Sequence, residues 1–455
     1  VDEAAVKGMS SKLAKALIKN QEMRVRFPDQ PEKFMDSETQ LVEQIGAFTR
    51  VGEHPELYEA LTSAGVLDTA AQLLSHENAD VAHETIKMLI SLTEMDPEDD
   101  ESAQEASNRL SLLKALYGAD IVSLLISNYR RCQEDGKETQ DEGETSGTDN
   151  GCMYDILTLV ENIISGDPAS VSQVLLNPKL MSLLIDELKQ SRSLKYWTAT
   201  RQYAAEILSA LLMDAEQVRL FLKLDGIDAL LTVCACFRKA NVALDEPLHQ
   251  EMTENVFDAL AAVLSQPEGR SAFFDAEGIA LLLLILKARN VAQRLALKAL
   301  SYFLSIDAPS IYCDQFVQDM GLGVVMPYLL VRYTPKQASS RSHVSSKQIQ
   351  KQAEAIEQED YLIAALWVMF HKLTGSSLVR LIRKFMEKDG EKIDRLLEML
   401  DVRLRRVDVA HDTLTAQHAS ELYQQSVTAE EREALYESGM LDAGLLSLQQ
   451  LAYIL

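Results

Sequence analysis

The stretch QEMTENVFDALAAVL, residues 250–264, contains the packing pattern and the charge pattern from which the fold can be inferred. At 3.6 residues per turn, its apolar and polar residues fall on two sides of one helix. The apolar side consists of Met252, Val256, Phe257, Leu260, Val263 and Leu264. The opposite side carries Glu251, Glu254, Asn255 and Asp258 at positions i, i+3, i+4 and i+7. The pattern predicts a helix that packs on one side and presents three carboxylates and an amide on the other.

Similar helical units recur on both sides of this stretch. In each, a helix ends close to a glycine and a new apolar helix begins. The junctions are Ala64-Gly65-Val66, Tyr117-Gly118-Ala119, Asp225-Gly226-Ile227, Glu277-Gly278-Ile279 and Met320-Gly321-Leu322, with Asn177 in the glycine position of LLNPKLMSLL. Gly, and less readily Asn, adopts the left-handed backbone that ends many helices. Successive junctions are 43 to 59 residues apart, whereas armadillo and HEAT repeats span roughly 40–47 residues, so we expect insertions in most units.

These repeats and the low content of helix breakers indicate the fold class. The 455 residues include only 19 glycines and 11 prolines, and no convincing run of alternating β-branched residues occurs. We predict an all-α protein, an armadillo/HEAT-type superhelical solenoid with N- and C-terminal helical caps. The expected domains are an N-terminal capping segment over 1–56, armadillo-like repeats over 57–375 and a C-terminal helical cap over 376–455. Within the first, residues 20–38 should be extended, because Pro28 and Pro31 interrupt a helix.

The composition restricts the possible partners. Lys and Arg total 44 and Asp and Glu total 69, which gives a formal charge of −25. A field of that sign repels phosphate backbones and favours basic partners, so direct nucleic-acid binding is not expected. No apolar run approaches the ~20 residues of a membrane span, so no membrane interaction is expected. The five cysteines are sparse and odd in number, and no signal peptide opens the chain, which together indicate a reducing, intracellular compartment.

The sequence offers no convincing catalytic or metal site. Cys234 and Cys236 stand at i and i+2, where helical side chains diverge, so two core thiols are expected in preference to a metal pair. No HExxH, GxSxG or P-loop motif occurs. Glu251 and Glu254 lie on an open face, and no nucleophile is near His83 in the pattern. We therefore expect no enzyme activity, no catalytic residues, no metal and no cofactor.

The candidate functional site follows from the last helix of each unit, which we call the third helix. In armadillo stacking the third helices line the concave groove. Their outward positions predict a peptide-binding set that consists of Glu84, Asp155, Glu161, Asn162, Gln202, Glu206, Glu251, Glu254, Asn255 and Asp258. Carboxylates would form charge-assisted bonds with Lys and Arg side chains, and the amides would hold a peptide backbone.

The alternative is a solvated helix face in an acidic protein. Two observations weigh against it. No Lys or Arg occurs from Ala243 to Glu268, and the next third helix becomes basic at Arg294 and Lys298.

Several segments resemble one known family. They are NQEMRVRFPDQPEKFMDSE (20–38), HENADVAHETIKMLISLTEMD (76–96), LVENI (159–163), LDGIDALL (224–231), EMTENVFDALAAVL (251–264), RKFMEKDGEKIDRLLEM (383–399) and LDAGLLSLQQLAYIL (441–455). In order and over nearly the whole chain, they resemble the beta-catenin-like protein 1 family of armadillo-repeat, spliceosome-associated proteins. The resemblance implies a nuclear protein of the NineTeen complex. It also implies binding to basic, nuclear-localisation-type segments of splicing factors, including the cell-division-cycle-5-like protein.

Three functional interpretations remain open at this point. The first is a non-enzymatic scaffold that binds basic segments of splicing factors, and the second is an importin-like nuclear cargo carrier. The third is a structural protein that forms a homo-oligomer through its termini, suggested by the apolar end Tyr453-Ile454-Leu455. The region from 378 to 404 is rich in Lys and Arg and reads as two helices broken at Asp389-Gly390, either a cap or a separate binding surface. The acidic loops 94–101 and 134–151 and the basic loop 335–347 are expected to be solvated connections.

Overall fold

The computed structural model describes residues 1–94, 102–138, 151–167, 176–239, 247–332, 346–419 and 428–455. Within these ranges the regular elements are helices and no strand occurs, which confirms the all-α prediction. The three predicted loops lie largely outside the described residues. None of the described helices is long and apolar enough to span a membrane by itself, and only the bent pair 103–118 and 121–134 passes that test of length and composition when its helices are taken together.

The chain forms two compact units. The first comprises Val1–Val233 with Asp245–Ala262, and the second comprises Cys234–Leu244 with Val263–Leu455. The helices that belong to or begin in the first unit are α1 (Glu3–Arg26), α2 (Met35–Gly46), α3 (Tyr58–Ser63), α4 (Val66–Leu74), α5 (Ala79–Thr93), α6 (Ala103–Gly118), α7 (Ile121–Glu138), α8 (Gly151–Gly166), α9 (Pro178–Gln190), α10 (Ala199–Leu211), α11 (Ala215–Lys223), α12 (Gly226–Cys234) and α13 (Pro247–Ser265). The helices of the second unit are α14 (Pro267–Asp275), α15 (Gly278–Ala288), α16 (Gln293–Phe303), α17 (Ser310–Gln318), α18 (Gly321–Leu329), α19 (Ser346–Lys372), α20 (Gly375–Met386), α21 (Glu391–Ala419), α22 (Ala429–Asp442) and α23 (Leu445–Ile454).

The packing side of the 250–264 stretch is formed as predicted. All six of its apolar side chains are fully buried, from Met252 to Leu264. Two of the third helices, α5 and α10, begin at side-chain caps. The Asn78 side chain accepts a hydrogen bond from the backbone N–H of Asp80 at 2.9 Å, and the Thr198 hydroxyl accepts one from Arg201 at 3.3 Å. Caps of this kind satisfy backbone donors that the first turn of a helix leaves open.

The N-terminal segment is more helical than the two prolines suggested. Helix α1 continues to Arg26 and α2 begins at Met35, so only residues 27–34 interrupt the helices. The prediction of an extended segment from residue 20 was wrong because a proline disturbs only its own position and the one before it. Phe34 is buried, and its ring lies 4.6 Å from the guanidinium carbon of Arg24.

Most of the junction glycines do not adopt the predicted left-handed backbone. Gly65 has a φ of +72°, but at four other junctions the left-handed residue is Asp120, Asp225, Glu277 or Met320. Three of the glycines instead lie against an aromatic ring. A Cβ on Gly226, Gly278 or Gly321 would lie 2.3 to 2.5 Å from the ring of the phenylalanine five residues earlier, namely Phe221, Phe273 or Phe316. Asn177 does not end a helix; it caps the start of α9 from an extended backbone.

Two further expectations about side chains change. The sparse, odd-numbered cysteines indicated a reducing compartment, but Cys132 and Cys152 are joined in a disulfide with a Cα–Cα distance of 6.6 Å, while Cys234, Cys236 and Cys313 are free. Three of the seven Lys and Arg residues from 378 to 404 are buried, namely Lys392, Arg395 and Arg403. Arg403 donates to Glu359 and to Asp360 at 2.8 Å each, and Arg395 donates to Glu359 at 2.6 Å. These arginines hold helices together, so the region from 378 to 404 is less basic at its surface than its composition suggested.

Candidate functional site

Four third helices of the first unit, α5, α8, α10 and α13, carry the predicted site residues. Polar and aromatic contacts join the first three in order. His83 on α5 lies 2.7 Å from a carboxylate oxygen of Asp155 on α8, and the Asn162 amide donates to the Thr93 hydroxyl at 3.0 Å. The Tyr203 hydroxyl on α10 donates to Glu161 on α8 at 3.0 Å. These bonds fix the register of neighbouring helices, so that their outward residues form one face.

On this face, carboxylates on two third helices act electrostatically on a carboxylate of another third helix. We call Glu161, Glu206 and Glu251 the acidic stripe. Burial among neighbouring atoms raises the pKa of Glu206, the Gln202 amide opposes the shift by donating to it at 3.1 Å, and the charges of Glu161 and Glu251 raise it further. The side chain of Glu206 nevertheless keeps an exposed surface. A cation placed near these carboxylates would relieve the repulsion between them.

The other outward residues of α13 lie where the helical pattern placed them. Glu254 is exposed, and Asn255 and Asp258 are partly exposed. Glu254 and Asp258 also take part in further polar interactions. The acidic stripe is therefore the centre of the candidate site, and these two carboxylates lie beside it.

Three further predicted residues, Glu84, Asp155 and Asn162, also have partners on the protein. Asp155 is bonded to His83, and the Asn162 amide is bonded to Thr93, as described above. Glu84 pairs with Lys87 on its own helix at 2.8 Å. Since these polar groups bond to the protein itself, their first role is to hold or neutralise the face.

An aromatic pair that sequence reasoning missed lies beside the acidic stripe. The rings of Tyr154 and Tyr203 are 5.0 Å apart, and Tyr154 is 41% exposed. Burial raises the pKa of Tyr203, so its phenol stays protonated and remains a hydrogen-bond donor to Glu161. The only signal in the sequence was that Tyr154 precedes Asp155 and Tyr203 follows Gln202, which places both rings next to predicted site residues.

The chemistry of this face suits binding of positive side chains. Carboxylates accept charge-assisted hydrogen bonds from Lys and Arg, and exposed aromatic rings attract the same cations. Among the residues that the structure describes, no group of three or more His, Cys, Asp or Glu side chains is arranged to hold a metal ion.

Comparisons with known proteins agree with the fold. The family described as "Catenin-beta-like, Arm-motif containing nuclear" matches residues 1–455. Beta-catenin-like protein 1 of Homo sapiens is 30% identical over 458 residues, covering 100% of this chain and 75% of the relative. The homolog of that protein in Schizosaccharomyces pombe is 28% identical, covering 99% and 72%. A computationally designed armadillo repeat protein for modular peptide recognition aligns with a TM-score of 0.42 at 14% identity, over 66% of this chain and 99% of its own.

The all-α repeat architecture is that of an armadillo solenoid, and proteins of this class are protein-interaction scaffolds, generally without enzyme activity. Within that class, the chain belongs to the catenin-beta-like family of Arm-motif proteins. The resemblance stated from the seven sequence segments is thereby confirmed, as is the predicted fold class.

Proposed function

We propose that this protein is a nuclear scaffold of the pre-mRNA splicing machinery, and that its acidic stripe binds Lys- and Arg-rich segments of partner proteins. The observation that carries the binding proposal is the position of Glu206 between Glu161 and Glu251, whose charges raise its pKa. A bound cation relieves that repulsion, so part of the binding energy comes from the unfavourable state of the free site.

The remaining candidate residues have graded roles in this proposal. Glu251 and Glu206 contact the basic side chains, and Asn255, on the same face of α13, bonds to the peptide backbone. Glu254 and Asp258 add negative potential. Glu84, Asp155 and Asn162 position the face through their own partners.

The identity of the partners rests on the family. The description of the matching family includes the word nuclear. By the sequence resemblance, the partners are splicing factors of the NineTeen complex, including the basic segments of the cell-division-cycle-5-like protein. Neither a nucleic acid nor a membrane is part of the proposal, because a chain with a net charge of −25 repels both phosphate backbones and anionic lipids.

The binding proposal is tested by charge reversal at two positions. The double variant Glu206→Lys/Glu251→Lys should bind a fluorescent nuclear-localisation-type peptide at least about tenfold more weakly than the native chain, as measured by anisotropy. The matched control, Glu22→Lys/Glu59→Lys, changes the net charge equally at exposed positions on α1 and α3. It should change affinity by less than about twofold. If both double variants lost affinity for the peptide equally, the effect would come from net charge and not from a binding site at the stripe.

The splicing role has its own test. Native protein and the Glu206→Lys/Glu251→Lys variant are used as baits in nuclear extract, and bound proteins are identified by mass spectrometry. Splicing factors should be recovered by the native bait and depleted with the variant. Recovery of transport receptors in their place would support the importin-like alternative.

A further inference from the structure

Helix α20 (Gly375–Met386) has two apolar sides. Its inner side contributes Leu381 and Phe385 to the core, where the Phe385 ring lies 5.6 Å from that of Phe370. Its outer side exposes Val379 at 45%, Ile382 at 46% and Met386 at 65%. These three residues are spaced i, i+3 and i+7, so they form one continuous strip along the helix. We call them the apolar strip of α20.

Two arginines run beside the apolar strip. Arg380 donates to the sulfur of Met320 at 3.3 Å, and Met320 is itself 62% exposed, which extends the apolar surface beyond α20. Among the described residues, Arg383 has no carboxylate partner. Lys384, in contrast, is paired with Glu387 at 2.8 Å. The free positive charge beside the strip therefore comes from the guanidinium groups.

We infer that this surface of α20 docks an acidic amphipathic helix of a partner protein. Exposed apolar residues at i, i+3 and i+7 match the anchor spacing of a helix that packs along another helix. Arginine guanidinium groups at the edge of the strip suit Glu and Asp of the incoming helix through bidentate bonds. The formal charge of the whole chain is −25, but the exposed Arg380 and Arg383 make this edge locally positive. Its complement is therefore acidic, unlike the basic segments proposed for the stripe.

The composition of the surface favours a protein over other anionic partners. Its apolar side chains are aliphatic, whereas single-stranded nucleic acids stack their bases on aromatic rings. Helices that lie in a membrane interface present long apolar faces with Trp, Phe and Leu. The apolar strip of α20 is short and contains no Trp, Phe or Leu.

The test uses the full chain and a synthetic probe. The probe is a labelled helical peptide with Leu at i, i+3 and i+7 and Glu at the flanking positions; a scrambled peptide of the same composition controls for net charge. Arg380→Glu/Arg383→Glu and Ile382→Gln/Met386→Gln should each weaken binding at least about tenfold. The controls are Lys351→Glu, at an exposed cation of α19, and Met213→Gln, at a methionine 77% exposed in the first unit. Each should change affinity by less than about twofold.

Each outcome decides the proposal. All the substituted positions are exposed, and circular dichroism checks that the helices persist; Arg383→Ala replaces any variant that loses helicity. If only the α20 variants lose affinity for the acidic peptide, docking of an acidic helix is supported. The inference is overturned by equal affinity for the scrambled peptide or by variants that bind like the native chain. Arginine-dependent binding of phosphatidylserine vesicles or of single-stranded RNA, without binding of the peptide, also overturns it.

Discussion

In the first unit, two carboxylates of the acidic stripe, Glu161 and Glu206, have neutral hydrogen-bond partners, the Tyr203 hydroxyl and the Gln202 amide. In the second unit, the carboxylates of Glu359 and Asp360 receive the guanidinium groups of Arg395 and Arg403 instead. Arg403 is 2% exposed, whereas Glu206 keeps an exposed surface. Charge in the second region holds helices together, and charge in the first remains available to a partner.

The contrast shows that a run of charged residues does not by itself predict whether those charges stabilise the fold or are available for binding. Sequence patterns described both regions as charged helices, one acidic and one basic. What separates them is whether the opposite charge is supplied within the fold, because a paired and buried charge is neutralised while an exposed charge beside like charges is not. The following experiments test this difference, from the largest expected effect to the smallest.

Removal of a buried guanidinium should have the largest effect. Arg403→Met leaves Glu359 with Arg395 alone and Asp360 without this partner, and should lower the free energy of unfolding by about 2–3 kcal/mol, since part of the lost pairing is buried. Hydrogen exchange of α19 and α21 measures the loss locally. Arg405→Met is the control, because Arg405 is 75% exposed and pairs with exposed Asp401. Equal exchange in the two variants would contradict a structural role for Arg403.

The next largest effect is expected from salt, which should weaken peptide binding to the acidic stripe and leave the buried ion pairs of Arg403 nearly unchanged. Raising NaCl from about 0.05 M to about 0.5 M shortens the screening length severalfold. Binding of the basic peptide to the acidic stripe should weaken about tenfold or more, because those charges face solvent. Exchange protection around Arg403 should change by less than about twofold, because water and ions do not reach it. A peptide affinity that is independent of salt would remove the electrostatic basis of the proposed site.

The Tyr203 hydroxyl, a neutral hydrogen-bond donor to the stripe residue Glu161, should contribute a smaller amount to the free energy of unfolding. Tyr203→Phe deletes the hydroxyl that donates to Glu161 at 3.0 Å and should cost about 1 kcal/mol in the free energy of unfolding. Tyr154→Phe keeps the same ring pair, with centroids 5.0 Å apart, and should leave stability nearly unchanged. Chemical unfolding of the three proteins compares them directly. If Tyr154→Phe cost more than Tyr203→Phe, the hydrogen bond to Glu161 would not be the stabilising feature.

The smallest effect is the pH dependence due to Glu206. Its folded pKa lies above the ordinary glutamate value of 4.5, so the folded state holds this proton more tightly than the unfolded state. The free energy of unfolding should therefore fall as pH rises from that value upward. Glu206→Gln should remove the decline and slightly raise stability at neutral pH, as measured by unfolding from about pH 4 to about pH 8.

Glu105 provides a control of opposite sign. Hydrogen bonds from Ser102 lower the pKa of Glu105, so its contribution to stability is present above the ordinary glutamate pKa and is lost as pH falls. Glu105→Gln should reduce stability at neutral pH. Two variants that shift the pH profile in the same direction would contradict the raised pKa of Glu206 in the folded state.

The sequence alone determined the features that depend on local periodicity. Helical spacing placed Met252 and Val256 in the core and Glu251 and Glu254 outside it, and the glycine junctions marked the repeating units. These patterns work at short range because neighbours three and four residues apart share a helix face. They were sufficient for the fold class and for the order of the third helices along the chain.

Only the tertiary structure decided which side chains meet across helices. Phe273 packing on Gly278, Tyr203 bonding to Glu161 and Arg403 bonding to Glu359 all join separate helices or helix ends. Burial in the fold raises the pKa of Glu206, and charges 45 positions away on each side, at Glu161 and Glu251, raise it further. Such pairs depend on helix register and rotation, and a helical pattern fixes neither between distant segments. For that reason the sequence predicted a charged face, and the folded chain determined which of its charges are left for a partner.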